Sequence, residues 1–410
     1  MKDNYDVIIV GGGFAGLGVA AELAKSRLKI LLIEKNKRLG INANPVRGTF
    51  KDMIKKYKFD KALVQCYEKI YFYGTENKAE IKINNNACLF DSQKLLNILK
   101  KRIKCKLLVN CEIINARREN NKIILVDSNK KEYTGNIIVD ASGENSVVAQ
   151  SLGIEKSKVF CACYIAMLDN CKFDPKTVYY LSSDKIANAA AWFEPVSKKK
   201  GQIGIADFEP YTLSSIEDAR RRALNIINNF KPAKEIVGNA KILKSSEKMI
   251  YYPAEPINSM ILDNLIVIGD AAGQATPLLG EGVRVCLDMT KEAADVIKAA
   301  FKKNDFSKNF LDKYEERWWK MFGKYSVWGI LLRHFIAKDF KDKEWNIIIE
   351  NLNNLNKKEK EKFIRSELTY SILKKLLSFE VTKDIFEKIV KDHFSHLNIF
   401  NKRKFVSYFV

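Results

Sequence analysis

Three glycines and an acid form the first constellation that could do chemistry. Gly11, Gly13 and Gly16 stand at the first, third and sixth places of a Gly-x-Gly-x-x-Gly turn, and Glu34 follows about 20 residues later. In such a turn the first glycine permits a tight reversal, the second lets a pyrophosphate approach the backbone, and the third lets helix and strand pack closely. The helix that follows offers unpaired N–H groups and a partial positive charge to phosphates. A carboxylate at Glu34 can accept the ribose hydroxyls of an adenosine and disfavours a phosphorylated ribose, which points to FAD or NAD. Two further acids close apolar runs. Asp140 ends Ile137-Ile138-Val139 and leads into Ala141-Ser142-Gly143; taken alone it is equally an ordinary strand-to-turn stop. Asp270 follows Asn264-Leu265-Ile266-Val267-Ile268-Gly269, and Thr276-Pro277-Leu278-Leu279-Gly280-Glu281-Gly282 then opens a helix at Val283. An acid at a buried strand end can hold the ribityl hydroxyls of a flavin. A glycine-framed helix start can sit beneath the flavin ring and stabilise negative charge on it.

Fewer residues offer other chemistries. The eight cysteines, at 66, 88, 105, 111, 161, 163, 171 and 286, form no Cys-x-x-Cys pair, and His334, His393 and His396 lack zinc-type spacing. No metal is expected, and the thiols read as reduced, buried residues of a cytoplasmic protein. Arg47 falls in a stretch, Lys35 to Lys58, expected to be a loop crossing near the nucleotide. There it could face the flavin or its phosphates, or solvent.

The elements that must position these groups follow from periodicity. Val7 to Val10 and Ile30 to Ile33 have the β-branched, unbroken apolar character of buried parallel strands. Leu95, Leu96, Ile98, Leu99 and Ile103 make a helical stripe capped at Asp91 or Ser92. Lys106 to Val126 gives strands about the turn Glu119-Asn120-Asn121. Tyr71 to Tyr73, Val159 to Leu168, Thr177 to Leu181, Gln202 to Asp207 and Ala240 to Leu243 read as strands, with Glu217 to Phe230 as a helix packed on them. The chain is helical beyond Phe306, and Glu344 to Val410 reads as a small basic helical unit. The aromatic run from Trp318 and Trp319 to Trp328 suits either core or a membrane interface. A net charge of +21 over 410 residues suits a polyanionic partner or an anionic membrane surface, or is a Lys- and Asn-rich composition spread over the whole chain, which the distribution favours in part; without a binding motif nucleic acid is disfavoured. No apolar run approaches transmembrane length, and the polar start, Met1 to Tyr5, is not a signal peptide.

In this order the glycine turn with Glu34, the Asp140 stretch and the Gly269-Asp270…Gly280-Glu281-Gly282 stretch resemble FAD-dependent oxidoreductases related to p-hydroxybenzoate hydroxylase. Within that group the chain is most similar to the geranylgeranyl reductases, including the archaeal membrane-lipid reductases, over roughly residues 5–300. The resemblance implies an α/β fold. A Rossmann-type FAD-binding domain, residues 1–150 and 255–305, is interrupted by an α+β substrate-binding domain, residues 151–254 with 60–90 as a further contributor. A C-terminal helical region, residues 306–410, follows. It also implies FAD contacts from Gly11, Gly13, Ala15, Gly16 and Glu34, with Arg47 as an added candidate. Gly269 and Asp270 belong at the ribityl chain, and Gly280, Gly282 and Val283 at the ring.

In that family a Tyr-x-Trp-x-Phe-Pro motif lies beside the flavin and the isoprenoid, which implies a substrate pocket at Ala190, Trp192 and Pro195. Here Ala190 replaces the tyrosine and Glu194 the phenylalanine. In an apolar pocket Glu194 would favour its protonated form and become the candidate catalytic proton donor; at a strand end in solvent it would be inert. Some members carry a cysteine in a Val-Arg-Cys-Gly loop, where this chain reads Val46-Arg47-Gly48-Thr49-Phe50. The implied activity is reduction of carbon–carbon double bonds of an isoprenoid (geranylgeranyl) chain, of a membrane lipid or prenyl diphosphate. FAD would be recharged by an external donor, either NAD(P)H or a reduced redox protein. Monooxygenases, halogenases and lycopene-type cyclases use the same fold. A flavin-binding lipid-interaction module is the alternative outside catalysis.

Overall fold

Val7, Ile8 and Ile9, and Leu31, Leu32 and Ile33 after them, are buried from both sides, as parallel strands between two layers must be. They belong to a sheet whose main path runs Ile261–Leu262, Leu265–Val267, Glu132–Asp140, Asn4–Val10, Ile30–Ile33, Lys106–Leu108. All of these neighbours are parallel except the first pair. Truncating Ile8 or Ile9 to alanine would cost about 2–5 kcal/mol. The structure, a computed structural model, describes residues 4–41, 43–157, 160–208 and 213–377, the side chains of residues 334, 335, 338 and 339 excepted.

Register does the positioning. Val10 lies level with Ile33 on one side and Asp140 on the other, and Asp140 lies level with Val267. The glycine turn, Glu34, the Ala141–Gly143 turn and the Gly269-Asp270 turn therefore leave the sheet along one edge, at the carboxyl ends of its strands. That edge is where open α/β sheets bind ligands. Behind it the helix Phe14–Glu22 crosses the long helix Val283–Lys303 at close range: a Cβ on Gly18 would stand 2.6 Å from Cγ2 of Thr290. A hairpin, Ile113–Glu119 and Lys122–Asp127, extends the sheet through a turn in which Asn120 and Asn121 both take positive φ.

A second sheet runs Lys241–Ile242, Phe160–Asp169, Gly201–Phe208, Ala187–Pro195, Thr177–Ser183, Lys69–Tyr73, Lys78–Lys82, with Lys248–Pro253 also paired to Phe160–Asp169. One face is covered by the helix Ile216–Asn229. Ala191, Phe193, Ile203 and Ile205 pack there with Ala219, Ala223 and Ile226. Alternation along Ala187–Pro195 turns Ala190, Trp192 and Glu194 to the other face.

The expected loop Lys35–Lys58 is in fact structured over its second half. Val46–Phe50 pairs with Ala87–Asp91 in a small third sheet and runs into the helix Lys51–Lys56. Five residues interrupted by Gly48 are too few for a period to register in the sequence. A turn at Asn84 to Asn86, where Asn84 and Asn85 take positive φ, joins Lys78–Lys82 to Ala87–Asp91, which belong to different sheets. Asp91 caps the helix Ser92–Arg102 by accepting from Lys94 N at 2.9 Å.

The C-terminal helices do not stand apart. Trp345, Ile348, Phe363, Ile372 and Leu376 share one core with the parallel sheet, and Trp318 and Trp319 are buried in that core. The two tryptophans are thereby removed from any membrane contact. Residues 378–410, with His393 and His396, lie outside the described residues.

Candidate active site

The glycine turn is sterically committed at two places and open at a third. Gly11 has φ +109°, and a Cβ there would collide with the Ala141 carbonyl; a Cβ on Gly16 would collide with the Gly11 carbonyl. Around Gly13 there is nothing within 4 Å of that position, which leaves the backbone bare for a pyrophosphate. Gly13 also caps the helix Phe14–Glu22 without a side chain, and no acid occupies its first turn. Ala15 lines the same cavity. Glu34 is held from three sides: Oε2 accepts from Gly12 N at 2.8 Å, and Oε1 accepts from Asn36 N at 2.8 Å and Asn36 Nδ2 at 2.7 Å. Oε1 has both acceptor sites engaged, and Oε2 keeps one for a ribose hydroxyl.

Asp140 and Asp270 end neighbouring strands and differ completely. Asp140 is fully buried and accepts from Ser142 Oγ at 2.6 Å, Ser142 N at 3.1 Å and Ala149 N at 2.8 Å. It is a brace for the Ala141–Gly143 turn. The Asp270 carboxylate instead faces the cavity, and no protein hydrogen bond reaches it among the described residues. Its surroundings push its pKa up, and the charge of Arg47 opposes that rise.

Arg47 is half-buried and turned into the cavity. It lines the cavity on Val46–Phe50, its guanidinium 5.8 Å from the Phe14 ring centre, and its buried Nε has no hydrogen-bond partner. Burial lowers its pKa, while Asp270 works the other way. A half-buried cation whose Nε lacks a hydrogen-bond partner suits an anion in the cavity. Further along, Gly269 takes φ +71° and Gly280 φ +65°. Gly282 caps the 21-residue helix beginning at Val283 with no side-chain cap and no acid in the first turn. A helix start left uncapped in this way suits a group carrying negative charge.

These features fit FAD: bare backbone and a cation for the diphosphate, Glu34 for the ribose, Asp270 for a polyhydroxyl chain, and a helix start for the ring. Gly13, Arg47, Asp270, Gly282 and Val283 open on one cavity of about 430 Å³ that continues past them into apolar surroundings; Glu34 is not in its lining. Ile70, Phe72, Ile165 and Val178 form its floor with Ala190 and Trp192. Leu332, Ile336, Trp345, Ile348 and Phe363, from the helices Lys324–Asp339, Asp342–Asn354 and Lys357–Ile364, form its roof. The Trp192 ring lies across Gly204 of the paired strand, where a Cβ would strike it.

Glu194 is buried on the cavity side. Its Oε2 accepts from Trp192 Nε1 at 3.2 Å and from Gln202 Nε2, the residue opposite it in the sheet. Burial raises its pKa; those two hydrogen bonds restrain the rise. The solvated alternative is thus removed. Pro195, expected in the pocket, is absent from the cavity wall: alternation turns it to the opposite face, and its carbonyl accepts from Tyr67 at 2.8 Å. Gln202, Gly204, Tyr180 and the roof helices carry no local signal, because their role depends on strand pairing and packing across long separations. Cys88 and Cys163 also line the cavity. Burial pushes Cys88 up to about 12 and Cys163 well above its usual value, so both are neutral thiols.

Residues 6–157 match the family model described as FAD dependent oxidoreductase. The chain is similar to FAD dependent oxidoreductases in its nucleotide-binding part. Beyond those residues, it is 25% identical over 399 residues to the digeranylgeranylglycerophospholipid reductase of Methanocaldococcus jannaschii, covering 90% of this chain and 96% of the relative. Among solved structures, a geranylgeranyl bacteriochlorophyll reductase-like protein from Thermoplasma acidophilum superimposes with a TM-score of 0.80 at 18% identity. That match covers 95% of this chain and 100% of the other. A flavin-dependent brominase matches with a TM-score of 0.63 at 17% identity, covering 82% and 90%. Both structural likenesses establish the α/β fold.

Proposed function

We propose that the chain is an FAD-dependent reductase that saturates carbon–carbon double bonds of an isoprenoid (geranylgeranyl) chain, carried by a membrane lipid or a prenyl diphosphate. The single observation that carries this is the continuity of the cavity: a dinucleotide-binding edge at one end opens directly into an apolar slot at the other. FAD, when bound, supplies the hydride. The protein's part is to place the partners. Gly13, Arg47 and Glu34 would hold the diphosphate and ribose, Asp270 the ribityl chain, and the helix start at Gly282-Val283 the ring. An alkene has no hydrogen-bonding handle, so the floor around Trp192 and the roof helices must position it by shape and keep water away. Ala190 leaves the width a slim chain needs.

In this reading residues 1–150 and 255–305 form the FAD-binding unit, 151–254 with 60–90 the substrate floor, and the helices after 306 its cover. FAD is recharged by an external donor, NAD(P)H or a reduced redox protein, that docks transiently. Among the described residues no helix is long and apolar enough to cross a membrane. Peripheral attachment through the net charge of +21 is the proposed route to a lipid substrate in a cytoplasmic setting. The test is incubation of FAD-loaded, anaerobically reduced protein with lipids bearing geranylgeranyl chains, followed by mass spectrometry. Products heavier by two hydrogens per bond support the activity. Unchanged lipid, with hydroxylation of an aromatic compound once oxygen is admitted, would contradict it.

A further inference from the structure

Beyond Asp270 two carboxyl groups line the cavity, Glu281 and Glu194. Glu281 is paired with Arg284, whose Nε donates to its Oε2 at 2.9 Å, whereas the two oxygens of Glu194 are treated differently and neither meets a cation among the described residues. Glu194 Oε2 receives both protein hydrogen bonds, from Gln202 Nε2 and Trp192 Nε1. Oε1 receives none and lies beside Gly48, where a Cβ would come within 2.9 Å, so only glycine leaves that oxygen its place. The ionisable groups nearest to Glu194 are Tyr67, Tyr180 and Cys163, from three different segments, and burial keeps all three neutral. Arg47, one residue from Gly48, acts on Asp270 and Cys163. Among the described residues no cation is placed to hold Glu194 ionised, and its pKa is raised by burial. Gln202 Oε1 is buried without a partner, a seat for one water beside the acid.

We propose that Glu194 is the proton donor of the reduction, a neutral carboxylic acid whose Oε1–H is presented to the alkene while Gln202 and Trp192 fix Oε2. This rests on the reductase activity proposed above. Hydride from the reduced flavin adds to one alkene carbon with its electron pair. The π pair then forms the second C–H bond at the neighbouring carbon with the proton of Oε1–H, and the O–H bonding pair stays on the carboxylate. Water held at Gln202 Oε1 returns a proton to Glu194. Gln202 is a positioning residue. Its N–H donation favours the charged form, so it sets the pH above which the acid is spent.

The test uses FAD-loaded protein photoreduced without oxygen and mixed with a lipid bearing geranylgeranyl chains, in the wild type, Glu194→Gln and Gln202→Leu. In Glu194→Gln, reoxidation by the lipid is expected to slow by about 10²-fold or more, with FAD affinity and photoreduction unchanged. The wild-type rate should fall as pH rises through the raised pKa of Glu194, and Gln202→Leu should move that limb to higher pH. A limb unmoved in Gln202→Leu overturns the assignment, as does lipid reduction by Glu194→Gln at the wild-type rate; the reductase activity itself survives both results. A wild type inert toward every such lipid overturns both proposals together.

Discussion

The two ends of the cavity are built on opposite principles. At the nucleotide end the wall is backbone and charge: Gly13 and Gly282 stand at helix starts without side-chain caps, and Arg47 and Asp270 add side-chain charges of both signs. At the other end the wall is apolar side chains from a sheet face and three helices, interrupted by Glu194 and Gln202. The first end can recognise a ligand by its atoms, and the second can recognise only a shape. Asp140 and Asp270 repeat the contrast on a smaller scale. Both close a buried strand before a glycine turn, yet Asp140 is consumed by donors from its own turn and Asp270 is left to a ligand. What separates a functional acid from a structural one here is whether the following turn folds its N–H groups back onto it.

Substitutions can break each end separately. The largest effect is expected from Gly16→Val, whose side chain has no space against the Gly11 carbonyl. The cost should exceed the 1–3 kcal/mol usual for overpacking, and purification should give a colourless or unfolded protein. Ala190→Trp attacks the apolar end alone. Reoxidation of the reduced flavin by a geranylgeranyl lipid should slow by about 10²-fold or more while FAD remains bound; equal loss of both would mean that the two ends are not separable. Glu34→Ala should weaken FAD by about 1.5–3 kcal/mol, measured by fluorescence titration, with no change in lipid turnover at saturating FAD. Arg47→Ala should have the smallest effect on FAD affinity, about 1 kcal/mol. It removes the charge that opposes the rise in the Asp270 pKa, so Asp270 should protonate at higher pH and FAD affinity should fall off at correspondingly higher pH than in the wild type.

The nucleotide end was legible because its groups are local. A turn of six residues, an acid at a fixed interval and a glycine-framed helix start each state their own geometry, and parallel register then gathers them at one edge. Arg47 was ambiguous because its strand is short and broken by Gly48, so nothing in the sequence placed its side chain inside. The apolar end was opaque for a different reason. Trp192 needs Gly204, and Glu194 needs Gln202, through pairing of two strands whose register no single segment declares. The roof at Trp345, Ile348 and Phe363 comes from a region whose helical period announced burial without saying against what. Pro195 was carried into the pocket by the family motif, and alternation along Ala187–Pro195 puts it on the face opposite Ala190, Trp192 and Glu194.

The measurement that bears most directly on the one-cavity arrangement is a crystal structure of the FAD-loaded protein soaked with a geranylgeranyl chain. The adenosine is expected at Glu34, the ring at the Gly282-Val283 helix start, and the chain between the Ala187–Pro195 strand and the helix Asp342–Asn354, with a double bond against the ring and beside Glu194. A chain bound on the outer surface, or a ring seated away from the Ala190–Trp192 floor, would contradict it.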